Sequence, residues 1–363
     1  MPVVNTKLLR KDVRKGLKPA LPLPLLIQVI KFTRRPENRG FNFVKLLRTI
    51  AKYNETYYKE RIQNSDDPAL KKYLNVISKE EMAFAARGLR LVTEWNAQDD
   101  LKKKPISLDI KIEQVDEAGV RGEWEIPPNA APDRVLLWFH GGGQILGTPL
   151  SSRQCSAELG KRGRAKVFSL DYRLAPEHPF PEGLEDCVNA YKWLLKSYKP
   201  GNMIIAGESA GGQHVLSSLL KIKQDGLPLP AGALCCAPAT DYYHQGPTFF
   251  DNMVTDPVLG DAGVFMLFDA YLAGKDPKDP LVSPVYGDLA GLPPILLQVS
   301  TIEMLRDHAV RFVEKARAAG VDITLQEFKD MTHAFLSGGY NAGWPEVEDG
   351  FQKAVAFIEK TFY

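Results

Sequence analysis

Met203-Ile-Ile-Ala-Gly-Glu-Ser-Ala-Gly-Gly-Gln-His-Val-Leu-Ser217 opens on apolar residues, passes through a serine set between glycines and runs on as a helical pattern to Gln224. A short apolar run bounded by turn residues reads as a buried strand, and the apolar positions after it recur at helical spacing. Glycines on both sides of Ser209 let the chain turn sharply enough to push the serine above the sheet. Gly211 and Gly212 let the helix lie close to the strand. In this strand, turn and helix context Ser209 is a candidate nucleophile; the plainer alternative is a loop serine that caps the following helix.

Working outward, short apolar runs at Val135–Phe139, Val167–Leu170, Ala233–Ala237, Ile295–Val299 and Ile323–Phe328 alternate with helical stretches at Leu184–Tyr198, Ala210–Gln224 and His308–Ala319. Strands of this kind alternating with helices specify an α/β body, a mostly parallel sheet covered on both faces. Ile106, Leu108, Ile110 and Ile112 alternate with polar residues, and the turn signal Glu117-Ala-Gly119 leads into Val120–Ile126, which predicts an antiparallel hairpin at the start of this body. Before it, Phe43, Leu46, Leu47, Ile50, Tyr53 and Tyr57 fall at helical spacing, and Pro68–Trp95 reads as one or two more helices. The expected organisation is a helical cap segment over residues 1–100 and a catalytic domain over 101–363. The stretch from Asp241 to Pro294 exceeds an ordinary connection, and residues 241–282 are expected to add to the cap.

With 46 Lys and Arg against 44 Asp and Glu, the 363-residue chain has a formal net charge of +2 and lacks the basic excess that nucleic-acid binding needs. A hydrophobic content of 44% with 25% charged residues is that of a globular chain with a packed core. Cys155, Cys187, Cys235 and Cys236 lack metal-ligand spacing and read as buried free thiols. The apolar run over residues 21–30 is broken by Pro22 and Pro24 and is too short to span a bilayer. It fits peripheral contact with a membrane surface or packing as a cap element equally well. No small-residue cleavage site follows it, so a cytoplasmic location is expected.

The strand Val135–Phe139 runs into His140-Gly-Gly-Gly143. Acyl transfer needs backbone N–H donors aimed at the oxygen that becomes an oxyanion, and consecutive glycines bring bare backbone to it. Gly142, Gly143 and Ala210, the residue after the serine, are the candidate donors in the loop that begins at His140 and Gly141. A serine hydroxyl also needs a base oriented by a carboxylate. With the order serine, acid, histidine, the base is one of His214, His244, His308 or His333. His214 lies on the helix after the turn, His244 in the insertion, and His308 at an exposed helix start. His333, in the loop Asp330-Met-Thr-His-Ala-Phe335, can reach back over the sheet. For the acid, Ser300-Thr-Ile-Glu-Met-Leu-Arg-Asp307 offers Glu303 and Asp307; Glu303 is preferred because it is nearer the strand end, while Asp307 suits a helix N-terminus.

Together with Asp171-Tyr-Arg-Leu-Ala-Pro-Glu-His-Pro-Phe-Pro181, Ser283-Pro284, Leu289-Ala-Gly-Leu-Pro-Pro294 and His333-Ala-Phe335, these motifs resemble the hormone-sensitive-lipase-like branch of the α/β-hydrolases, from about Arg134 to the C-terminus. The resemblance implies a serine carboxylesterase for short- to medium-chain esters, with no metal or cofactor and a helical cap. It implies Glu303 as the acid and Asp171–Pro181 as a brace beneath the site. Gln144 stands where the family has an aromatic or small apolar residue and would make a pocket wall polar; Gln144 and Glu208 are candidate substrate contacts. Asp330 stands where a glycine is common. An amidase, deacetylase or lactonase using the same groups is the alternative activity, and a non-catalytic ligand receptor on this fold is the alternative outside catalysis. The expected partner is a small-molecule ester, and a homodimer is the assembly left open.

Overall fold

The computed structural model describes residues 42, 45–46, 48–50, 52, 78–103, 109–252, 255–259, 263–340 and 342–362. Residues 21–30 and most of the apolar pattern between 43 and 57 lie outside these; Leu46 and Ile50 of that pattern are described and fully buried. No helix among the described residues is long and apolar enough to cross a membrane.

Helix α1 spans Lys79–Lys103. It starts at Ser78 because a capping box forms there: the Glu81 N–H donates to Ser78 Oγ at 3.1 Å, and the Ser78 N–H donates to Glu81 Oε2 at 2.9 Å. Of the helical expectation over Pro68–Trp95, residues 68–77 lie outside the described set. β1 (Lys111–Glu117) and β2 (Val120–Ile126) form the antiparallel hairpin around Ala118 and Gly119; its expected residues Ile106 and Leu108 are also outside the set. There follow β3 (Val135–Phe139), α2 (Pro149–Arg162), β4 (Lys166–Leu170), α3 (Glu182–Leu194), β5 (Met203–Glu208), α4 (Ala210–Gln224) and β6 (Gly232–Cys236). The chain continues through α5 (Pro247–Asp251), α6 (Gly263–Leu272), β7 (Ile295–Ser300), α7 (Arg306–Ala318), β8 (Ile323–Phe328), α8 (Phe335–Gly338) and α9 (Pro345–Phe362).

The eight strands among the described residues join one sheet in the order β1-β2-β4-β3-β5-β6-β7-β8. The pairs from β4 through β8 are parallel, and β1 and β2 are antiparallel additions at one edge. Alternate residues of each central strand enter different cores. Leu137, Phe139, Ile205, Cys235 and Leu297 pack with Leu89 of α1, Leu216 of α4 and Phe312 of α7. Leu136, Trp138, Ile204, Leu234 and Leu296 pack with Leu159 of α2 and Phe351 of α9. Burial on both faces is why these strands carry unbroken apolar runs instead of alternation. Because the central strands run the same way, the loops after β3, β5, β7 and β8 gather at one edge of the sheet, where ligands bind in open α/β folds.

The four cysteines are free and buried, and burial pushes each thiol up from its ordinary pKa. Helix α1 is tied to the body by Arg90. Its Nε donates to the Ile145 carbonyl at 2.7 Å, Nη2 donates to the Ala175 carbonyl at 2.6 Å, and the guanidinium pairs with Glu177 at 2.8 Å. Truncation to alanine leaves two partly buried carbonyls without their donor. Arg90→Ala is expected to lower the free energy of unfolding by about 2 kcal/mol, read from urea denaturation.

Candidate active site

The turn between β5 and α4 puts Ser209 at φ 52° and ψ −118°, a left-handed backbone that costs a non-glycine residue about 1–3 kcal/mol. The surroundings hold it there. The Ser209 N–H donates to the Cys236 carbonyl at 2.8 Å, and the Ser209 carbonyl accepts the Gln213 N–H at 3.0 Å. The turn is so close to β3 that a Cβ on Gly211 would lie 2.0 Å from the Phe139 carbonyl oxygen, so no residue with a side chain fits. This contact is the physical reason for a glycine two residues past the serine.

From Ser209 a line of hydrogen bonds runs through the imidazole of His333. Ser209 Oγ is 2.8 Å from Nε2, and Nδ1 is 3.0 Å from Glu303 Oε2. His333 is 4% exposed and Glu303 1%. Burial works against a charged His333, but the hydrogen bond and charge of Glu303, with Asp256 and Glu208 behind it, outweigh that effect and raise its pKa above the ordinary 6.5. Burial lifts the Glu303 carboxyl, with His333 pulling the other way. The raised imidazole pKa favours an imidazolium paired with the Glu303 carboxylate, whereas burial of Glu303 opposes that separation of charge.

Asp307 lies elsewhere. It sits in the first turn of α7, where Oδ2 accepts the Thr248 N–H at 3.0 Å and Oδ1 is 3.2 Å from Arg306. His308 is not the exposed helix start expected of it. It is fully buried beneath the insertion, with Phe249 stacked at 5.4 Å, and burial lowers its pKa to about 4. The insertion folds over the start of α7, which a local reading of the helix does not register. His214 is buried between Tyr172 and Tyr271, its pKa lowered to about 3 by burial. His244 stacks on Phe249 at 3.8 Å.

The loop after β3 passes Gly142 and Gly143 at φ 118° and 62°. Its turn closes through the Gly142 carbonyl, which accepts the N–H groups of Ile145 at 3.2 Å and Leu146 at 2.9 Å. A Cβ on Gly143 would lie 2.5 Å from Leu267 Cδ1, so the insertion's helix α6 packs directly on this loop. Ala210 is the first residue of α4, where an N–H has no intrahelical acceptor. His140 is buried, its pKa lowered to about 4 by burial, so its ring is neutral at physiological pH. With Nδ1 2.7 Å from the Gly141 carbonyl oxygen, that nitrogen carries the proton and donates.

The segment Asp171–Pro181 supports this loop from below. Tyr172 stacks on His140 at 4.2 Å and donates to the His140 carbonyl at 2.8 Å, while the Ala175 N–H donates to the Gln144 carbonyl at 2.9 Å. Asp171 pairs with Arg121 at 2.7 Å, and His178 lies 2.7 Å from Glu182. Gln144 does not present a polar wall. It is 2% exposed, its Nε2 donates to Gln213 Oε1 at 3.0 Å, and its Oε1 accepts the Tyr242 hydroxyl at 2.8 Å. Both ends of the amide are occupied by protein, so Gln144 joins the glycine loop to α4 and the insertion. Glu208 is likewise turned inward: it accepts the Ser337 hydroxyl from α8, just after the histidine loop, and is 7% exposed, with burial raising its pKa. Asp330 has φ 56°, which is why a glycine suits that position.

The residues missed by sequence reasoning come from the insertion. Asn252 Nδ2 donates to the Glu303 carbonyl at 3.0 Å, and Asp256 Oδ2 accepts the Met304 N–H at 3.0 Å. Nothing local in Asp256-Pro257 distinguishes it from a turn signal.

A family model described as alpha/beta hydrolase fold matches residues 136–337. An acetyl-hydrolase of Streptomyces hygroscopicus is 38% identical over 237 residues, covering 65% of this chain and 78% of its own length. An esterase of Acinetobacter venetianus is 33% identical over 255 residues, covering 70% and 83%. Among solved structures, an esterase from the bacterial hormone-sensitive lipase family superposes with a TM-score of 0.73 at 34% identity, covering 88% of this chain and 98% of that one.

Proposed function

The chain belongs to the α/β-hydrolase family, in its hormone-sensitive-lipase-like branch, and from that membership we propose that it hydrolyses short- to medium-chain carboxylic esters through Ser209, His333 and Glu303. It is a serine ester hydrolase. The supporting observation is the unbroken hydrogen-bonded line from Ser209 Oγ through His333 to Glu303 Oε2. His333 Nε2 takes the hydroxyl proton as Ser209 Oγ attacks the ester carbonyl carbon, and Glu303 holds Nδ1–H and stabilises the imidazolium. The N–H groups of Gly142, Gly143 and Ala210 receive the developing oxyanion, each worth about 3 kcal/mol. His333 then gives its proton to the departing alcohol. Water, deprotonated by His333, attacks the acyl carbon; the bond to Ser209 Oγ breaks as the acid leaves, and Oγ takes back its proton from His333.

The cap is assigned to residues 1–100 and 241–282, over a catalytic body of residues 101–363. Leu267 against Gly143 supports the insertion's part in it, because the contact places cap atoms on the glycine loop.

The test is diethyl 4-nitrophenyl phosphate, which phosphorylates an activated serine with loss of nitrophenolate. One diethylphosphoryl group is expected per chain, on the peptide containing Ser209. Only neutral His333 can accept the proton, so the labelling rate falls as pH drops. Since the His333 pKa is raised, the fall is centred above 6.5. Labelling at another residue, or a rate that is flat from about pH 5 to 8, overturns the assignment.

A further inference from the structure

We propose that the insertion positions the triad acid, with Asp256 and Asn252 as positioning residues that act on Glu303 through the backbone of its loop. The inference rests on the triad reading above. Glu303 reaches His333 with Oε2 alone, and its Oε1 has no hydrogen-bond partner among the described residues. His333 and the Ser300 backbone are the only holds on the carboxylate itself among the described residues, so its aim depends also on the peptide that carries it.

That peptide is held from the insertion at several points, in addition to the Thr301 N–H that donates to the Phe328 carbonyl of β8 at 3.0 Å. Asn252 Nδ2 donates to the Glu303 carbonyl at 3.0 Å and reaches the Thr301 carbonyl at 3.5 Å. The Thr255 hydroxyl donates to the Ile302 carbonyl at 3.5 Å and that of Thr248 to the Met304 carbonyl at 3.3 Å. Asp256 accepts the Met304 N–H on Oδ2. Its Oδ1 accepts the N–H groups of Val258 at 2.9 Å and Leu259 at 3.0 Å, so it is locked in place while 3% exposed. Asp256 also adds charge. The acidic groups facing His333 are Glu303 from the loop after β7, Asp256 from the insertion and Glu208 from the end of β5, and all three favour its protonated form against the opposing effect of burial.

The experiment measures pH profiles of kcat/KM for an aryl acetate with the full chain. Asp256→Asn removes the charge, and its acid limb is expected to move down by about half a pH unit, with kcat on the plateau roughly tenfold lower and KM nearly unchanged. Asp256→Glu, which keeps the charge, leaves the limb near its original position. Asn252→Ala, less buried and uncharged, is expected to lower kcat several-fold at constant KM without moving the limb. A packing role alone would not shift the limb, so an unmoved limb in Asp256→Asn overturns the proposal. If that variant does not fold, wild-type kcat in Asn252→Ala overturns it. Glu303→Gln is assayed in parallel: its survival would sink the triad, whereas an inactive Glu303→Gln beside wild-type behaviour in both insertion variants sinks only the positioning role.

Discussion

Ser209→Ala is expected to lower kcat for an aryl acetate by roughly 10⁶-fold, while substrate binding persists. The size of the loss follows from the chemistry. Without Oγ there is no acyl-enzyme, and what survives is the contribution of the backbone donors and of binding, roughly 10³–10⁴ over water in enzymes of this kind. Alanine retains the Cβ of serine, so the left-handed backbone at φ 52° is equally strained in both and the comparison isolates the hydroxyl. A folded variant that keeps more than about one per cent of kcat would remove Ser209 as nucleophile.

Glu303→Gln is expected to cost roughly 10⁴-fold in kcat, because an amide facing His333 Nδ1 stabilises the wrong tautomer and leaves the imidazolium without its partner. Asp307→Asn, by contrast, is expected to lose less than about tenfold. Its carboxylate receives the Thr248 N–H and pairs with Arg306, and an asparagine oxygen still accepts from Thr248. The two substitutions are close in sequence and alike in chemistry, so their ratio reads the acid directly. A greater loss in Asp307→Asn reverses the assignment.

The sheet was legible because its central strands are buried on both faces and so carry short, unbroken apolar runs between helices. Glycine placement was legible for a harder reason: at Gly211 a Cβ would collide with the Phe139 carbonyl, and such a constraint leaves a residue identity in the sequence. Contacts between distant segments leave no such trace. His308 looked like a solvent-facing helix start, since the ring of Phe249 that covers it comes from nearly sixty positions away in the insertion. Gln144 looked like a pocket wall because its partners, Tyr242 and Gln213, are brought to it only by the tertiary fold. The choice between Glu303 and Asp307 was a matter of four residues, which strand-end arithmetic narrows and only the position of His333 separates.

The insertion's grip on the loop that carries Glu303 bears on how relatives of this chain diverge. A protein engineer who exchanges residues 241–282 to alter which ester is accepted also exchanges Thr248, Asn252, Thr255 and Asp256, the side chains that hold residues 301–304. On the proposed role of those side chains, an exchange made for selectivity is expected to change turnover as well. A chimaera built at the ends of the insertion is expected to be slow even toward an ester that both parents accept, and carrying the matching 301–307 loop along with the graft is expected to restore its rate.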